Sequence, residues 1–214
     1  MKKPFTLVEV LIAMSVLSVF LLGLMQFYTS TESVLSSGVE RTEMFERARI
    51  AMDMMANDLA CVYYSQTDDD LMPFESDSNS FRVATVRPEK LNKSAKTNIV
   101  AVQYKWNSGK RALVYSCDTN GDNFGLSGAS FGKETELVEG VTDFKVRAIP
   151  GENFERLPPL VVIQMELVDS KTLKRMKANS SAADAILKNA DRREFRRMIV
   201  IDRGQPKPKQ NPNP

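Results

Sequence analysis

The chain has 214 residues and not one histidine. Histidine is the commonest general base near neutral pH and the commonest metal ligand, so its absence removes imidazole triads and most zinc sites. Neither a Gly-x-Ser-x-Gly elbow nor a glycine-rich phosphate loop occurs. The residues offer no catalytic constellation, and the expectation is a protein that is no enzyme and takes no cofactor. Cysteine is scarce as well. Cys61 and Cys117 are too few for a disulfide-built scaffold, although one bridge between them stays open in an oxidising compartment. Charge of one sign is lacking too, because Lys2 and Lys3 account for the whole formal excess of +2. A balanced surface gives no general attraction to nucleic acid or anionic lipid.

What the chain does have is apolar residues, 43% of the total against 26% charged, enough to fold around a core. They are most concentrated at the start, MKKPFTLVEVLIAMSVLSVFLLGLMQFYTS. From 5 to 28 the run is interrupted by one carboxylate, Glu9. About 20 apolar residues rising 1.5 Å each span a hydrocarbon core of roughly 30 Å, so a transmembrane helix is expected over 5–28. Lys2 and Lys3 place the N-terminus in the cytoplasm by the positive-inside rule, and the remainder across the membrane. In a bacterium that compartment is the periplasm. The run exceeds the h-region of an ordinary cleaved signal, and residues 23–31 carry no Ala-x-Ala-like site. Glu9 needs its own explanation, since an acidic group in a membrane costs about 2.5–3.5 kcal/mol on insertion scales.

A short basic leader followed by Phe5-Thr6-Leu7-Val8-Glu9-Val10-Leu11-Ile12-Ala13 resembles the class III signal of type IV pilins and type II secretion pseudopilins. The resemblance implies that a prepilin peptidase cuts between Pro4 and Phe5 and methylates the new amine of Phe5. It further implies that Glu9 pairs with the freed α-amine of a neighbouring subunit, so that two unfavourable buried charges satisfy each other. Pro4 departs from the family, which prefers glycine before the cut, and proline lacks an N–H and fixes φ.

Beyond the membrane run, Phe45, Ala48, Met52, Met55 and Leu59 recur 3, 4, 3 and 4 apart, the stripe of an amphipathic helix packing on its own domain. A helix continuous from 5 to 62 is expected, softened at Gly38. The pattern then turns strand-like over 81–86, 99–106, 111–117, 137–148, 160–168 and 194–201, with a hairpin turn at Asn107-Ser108-Gly109-Lys110. A short helix or excursion is expected over 180–193. The end, GQPKPKQNPNP, is low-complexity and expected to be disordered. The fold class is α+β: a long N-terminal helix, half transmembrane and half amphipathic, packed on antiparallel β-sheets. The domains read as a leader at 1–4, a membrane helix at 5–28, the far half of that helix at 29–62, a β domain at 63–203 and a tail at 204–214.

The later segments narrow the likeness. Asp58-Leu59 at the helix end, LVEGVTDFKVRAIP with its Glu139-Gly140-Val141, and LPPLVVIQMEL opening on Leu157-Pro158 are similar to the J-type minor pseudopilins of type II secretion. That likeness implies a pilin-like fold and a structural subunit near the tip of a periplasmic pseudopilus, helping to start fibre assembly and protein export from the inner membrane. Its implied partners are other minor and major pseudopilins, the prepilin peptidase, the inner-membrane secretion platform, and the cytoplasmic ATPase and outer-membrane secretin of that machine. A minor pilin of a type IV pilus or DNA-uptake fibre, and a membrane-anchored periplasmic binding module, are the alternatives.

Other clusters read as ordinary structure. Asp118, Asn120 and Asp122 alternate like calcium ligands, but Asn123 and Ala129 stand where such a loop needs glycine and glutamate. A polar turn accounts for them. Asp68, Asp69 and Asp70 read as a solvated loop, and Arg192, Arg193, Arg196 and Arg197 as a charged strand face rather than a nucleic-acid site.

Overall fold

Helix α1 (Leu7–Ala60) is uninterrupted over 54 residues, including Gly38, where no break occurs. The computed structural model describes residues 6–63, 74–87, 97–118, 126, 129–149 and 157–201. The chain divides into two compact units, Met1–Glu43 and Met44–Pro214. In the first, α1 has its apolar side chains exposed and is long and apolar enough to cross a membrane. Its hydroxyls are satisfied within the helix, Ser15 and Ser18 each donating to the carbonyl four residues back at 2.8 Å. A helix in lipid requires such internal satisfaction.

In the second unit, α1 supplies Met44, Ala48, Ala51, Met52, Met55 and Leu59 to the core. Burying each large apolar chain contributes about 1.5–3 kcal/mol. The expected stripe is therefore present with Met44 and Ala51 added. Phe45 lies at its rim, half-exposed, with its ring edge-on to Phe195 at 5.3 Å.

The strands are β1 (Phe74–Asp77), β2 (Ser80–Val86), β3 (Ile99–Asn107), β4 (Ala112–Cys117), β5 (Thr135–Glu139), β6 (Val141–Ile149), β7 (Leu160–Val168) and β8 (Arg192–Val200). They form a five-stranded sheet ordered β1-β2-β3-β4-β5 and a three-stranded sheet ordered β6-β7-β8, with every pairing antiparallel. Both contribute to one core with α1, through Phe81, Val102, Tyr104 and Leu113 from the larger sheet and Phe144, Val161, Ile163 and Met165 from the smaller.

The single strand expected over 137–148 is two strands in different sheets. Gly140 divides them at φ 82, and a Cβ there would lie 2.9 Å from the Val168 carbonyl oxygen. Only glycine enters that conformation without strain. The hairpin at 107–110 forms between β3 and β4, with Asn107 Oδ1 accepting the Lys110 N–H at 3.0 Å. Its left-handed residue is Arg111 (φ 51) rather than Gly109. Helix α2 (Ser170–Ala178), capped by Asp169 accepting the Thr172 N–H, was not expected. A 3₁₀ turn at Ser180–Ala182 and helix α3 (Ala183–Lys188) occupy the expected excursion. The tail at 204–214 and the acidic run at 68–70 lie outside the described residues.

Candidate functional site

Of the residues expected to matter for processing, Pro4 and Phe5 lie outside the described residues, while Glu9 is defined. Thr6 stands just ahead of α1 and Glu9 occupies its third position. The Thr6 N–H and hydroxyl donate to Glu9 Oε2 at 2.9 and 3.0 Å, and the Glu9 N–H donates to Thr6 Oγ1 at 3.3 Å. This reciprocal pair is a capping box, which satisfies two of the orphan amides at a helix start. The carboxylate expected to need a partner from another chain therefore has one within its own. It also sits where the partial positive charge of the helix N-terminus favours an anion.

A second polar constellation lies at the other end of α1. Asp58 is 1% exposed on the apolar stripe. Tyr104 from β3 donates its hydroxyl to Asp58 Oδ2 at 2.5 Å, and the Arg87 guanidinium donates to both carboxylate oxygens at 2.8 and 3.0 Å. The Tyr115 hydroxyl stands 3.5 Å from the same guanidinium. Rings stack outward from this knot, Phe81 on Tyr104 at 4.9 Å and Tyr104 against Tyr115 at 5.3 Å. Burial pushes the Asp58 carboxyl above its ordinary value, opposed by the Tyr104 hydrogen bond and the Arg87 charge. Burial also raises the phenols of Tyr104 and Tyr115. A buried pair this well bonded orients the elements that carry it. It fastens the end of α1 to the larger sheet.

In the sequence Asp58 stands out only as half of the family-like Asp58-Leu59 pair, and Arg87 does not stand out at all. The available signal was an acid in register with Met55, Leu59 and Val62, where an apolar residue would be expected.

Cys61 and Cys117 are both free. Val62 bridges Thr85 at the β1 edge of β2, while Cys117 pairs with Val102 of β3 from the far side. Three strand spacings of about 4.8 Å separate the two positions, some 14 Å, beyond the roughly 7 Å that a disulfide tolerates between Cα atoms. The candidate bridge is not made. Asp118 is buried and accepts the Ser130 N–H at 3.0 Å, an ordinary turn role, while Asn120 and Asp122 lie outside the described residues. Among the described residues no group of three metal-ligating side chains occurs.

A cleft beside the β3–β4 turn is lined by Lys110, Arg111, Glu136 and Lys177. Each cation there faces a carboxylate: Lys110 with Glu136 at 3.2 Å, Arg111 with Asp184 at 3.5 Å, and Lys177 with Glu139 at 2.9 Å. The cleft is electrically neutralised and presents no nucleophile with its base. Of the four arginines on β8, Arg192 pairs with Glu166, Arg193 with Asp191 and Arg197 with Asp53. The chain matches no family model, no curated protein and no solved structure at a significant level.

Proposed function

We propose that this chain is a pilin-like structural subunit, a minor pseudopilin of a type II secretion system. It would be anchored in a bacterial inner membrane by the first half of α1, with its α+β domain in the periplasm. The observation that carries this reading is α1 itself. One helix is exposed and apolar at its start, with Glu9 at its third position, and is the core helix of an α+β domain at its end. Such a helix can bundle with copies of its kind in a membrane or fibre while presenting a folded domain outside. The FTLVE motif behind two lysines supports processing between Pro4 and Phe5. A cut there leaves the Thr6 amide in place, so the capping box survives it.

The capping box sharpens the role of Glu9. Oε2 is occupied by Thr6. In the assembled fibre the negative charge would attract the methylated amine of a neighbouring Phe5 while the cap holds the carboxylate at the helix start.

Intact-mass measurement on protein from its native membrane tests the reading. The expected mature chain begins at Phe5 and carries one added methyl group. A chain beginning at Met1, or beyond Tyr28, overturns it. Co-purification of partner subunits then separates capping from charge pairing. Glutamine serves a capping box as glutamate does, so Glu9→Gln should fail to assemble as Glu9→Ala does if the charge matters. Assembly by Glu9→Gln at the level of the unaltered chain would reduce Glu9 to a cap.

A further inference from the structure

The smaller sheet has two edges with different fates. On the β6 side, the Val146 N–H donates to the Ser78 carbonyl at 3.2 Å, the Val141 N–H to that of Arg111 at 2.9 Å, and Trp106 Nε1 to the Val141 carbonyl at 3.0 Å. That edge is covered by the larger sheet. On the other side stands β8, nine residues long, and among the described residues only β7 pairs with it.

The register fixes which β8 groups are free. The Ile201 N–H bonds the Pro159 carbonyl at 2.9 Å. Hydrogen-bonded and non-bonded pairs alternate along an antiparallel ladder, so Ile199, Arg197 and Phe195 turn their amides toward β7. Glu194, Arg196, Met198 and Val200 turn theirs outward. The side chains of these four share one face, opposite that on which Phe195 meets Phe45 and Arg197 meets Asp53.

That outer face is apolar at one end and cationic beside it. Val200, Leu160 and Ile149 form one cross-strand row; Met198, Val162 and Arg147 form the next; Arg196, Gln164 and Lys145 form the third. Val200 is 70% exposed, Met198 64% and Ile149 44%. Lys145 bonds Asp143, whereas the side chains of Arg147 and Arg196 have no ion pair or hydrogen bond with any described residue. An open, nine-residue edge with exposed apolar residues is what folded proteins normally suppress.

We infer that β8 is a docking edge for an extended segment of another protein that adds to the smaller sheet as a fourth strand and carries, on every second residue of one face, two apolar side chains followed by a carboxylate. Its backbone pairs with the outward groups of Glu194, Arg196, Met198 and Val200. Apolar side chains of the segment cover Met198 and Val200, and a carboxylate meets Arg196, with Arg147 adding to the positive field. Strand addition of this kind draws affinity from main-chain hydrogen bonds and selectivity from alternate side chains. A second copy of this chain is disfavoured as the occupant. Residues 192–197 contain four arginines in six positions, so β8 paired with itself sets like charges across from one another. The surface belongs to the smaller sheet alone and does not depend on the fibre-subunit reading.

The test uses the full-length chain in a zwitterionic detergent and measures amide hydrogen exchange along β8. The probe is a synthetic nonapeptide of threonine with valine at positions 2 and 4 and aspartate at position 6, which brings all three to one face of the strand, and the control has lysine at position 6. The valine–aspartate peptide should slow exchange at Glu194, Arg196, Met198 and Val200 in a saturable manner and bind at least tenfold more tightly than the control. Arg196→Glu, at an exposed position, should reverse that order. Four results overturn the inference: no protection by either peptide, equal protection by both, protection that rises with protein concentration alone, or protection by phosphatidylglycerol vesicles without peptide. The third would identify a second copy as the occupant, and the fourth a lipid surface.

Discussion

Replacing Asp58 by asparagine keeps the size of the side chain and removes the charge that Arg87 and Tyr104 share. In the native chain the carboxylate accepts three hydrogen bonds, at 2.5, 2.8 and 3.0 Å. The amide can accept at one atom only, and its NH₂ then faces donors. Breaking a fully buried ion pair costs about 3–5 kcal/mol, chiefly by stranding the remaining charge. The Arg87 side chain is 23% exposed, so water recovers part of this, and the expected loss is about 2–4 kcal/mol. Tyr104→Phe removes one bond and leaves Asp58 with Arg87, for a loss of about 1–2 kcal/mol. The double variant should lose less than the sum of the two, by about 1–2 kcal/mol, because both act in one network. Urea unfolding of the full-length chain in detergent, followed by circular dichroism, gives all four corners of the cycle. An Asp58→Asn variant within 0.5 kcal/mol of its parent, or strict additivity with Tyr104→Phe, would refute the view that this knot fastens α1 to the larger sheet.

Two further outcomes are expected. Gly140→Ala forces an L-residue to φ 82 with its Cβ 2.9 Å from the Val168 carbonyl, and should cost about 2–4 kcal/mol by the same unfolding assay. Gly38→Ala meets nothing within 4 Å, and should slow amide exchange across the neighbouring turns about twofold to fivefold, the equivalent of 0.5–1 kcal/mol of helix propensity.

The parts of the fold that could be read in the sequence were those with a dominant local signal. The stripe of Ala48, Met52, Met55 and Leu59 made the second half of α1 legible because one face of a helix repeats every three or four residues. Most strands were legible from alternation between turn residues. The break at Gly140 was not, because LVEGVTDFKVRAI reads as one alternating run and the φ that divides it is imposed by the approach of β7. Helix α2 escaped because only Thr172, Leu173 and Met176 are buried among lysines and an arginine, too few to stand out from a loop. At the candidate sites, Glu9 was found by its oddity in an apolar run, yet its partner Thr6 lay three residues away in a capping-box spacing that could have been read directly. Arg87 carries no local signal, since its role depends on a pairing 29 positions distant.

The order of strands in each sheet is the order in which they leave the ribosome, so every hairpin can close on its immediate predecessor. Helix α1 is the exception. Its core-facing residues are made first, but Phe45 waits for Phe195, and Asp53 for Arg197, 144 positions later. Local pairings form quickly, while the closure of so long a loop is slow. During synthesis, the rim of α1 at Phe45 and Asp53 therefore stays uncovered until the last strand arrives. The rate-limiting event of folding in this molecule should be the seating of β8 beside α1, and a chain cut short before residue 192 should be the species that chaperones and proteases recognise.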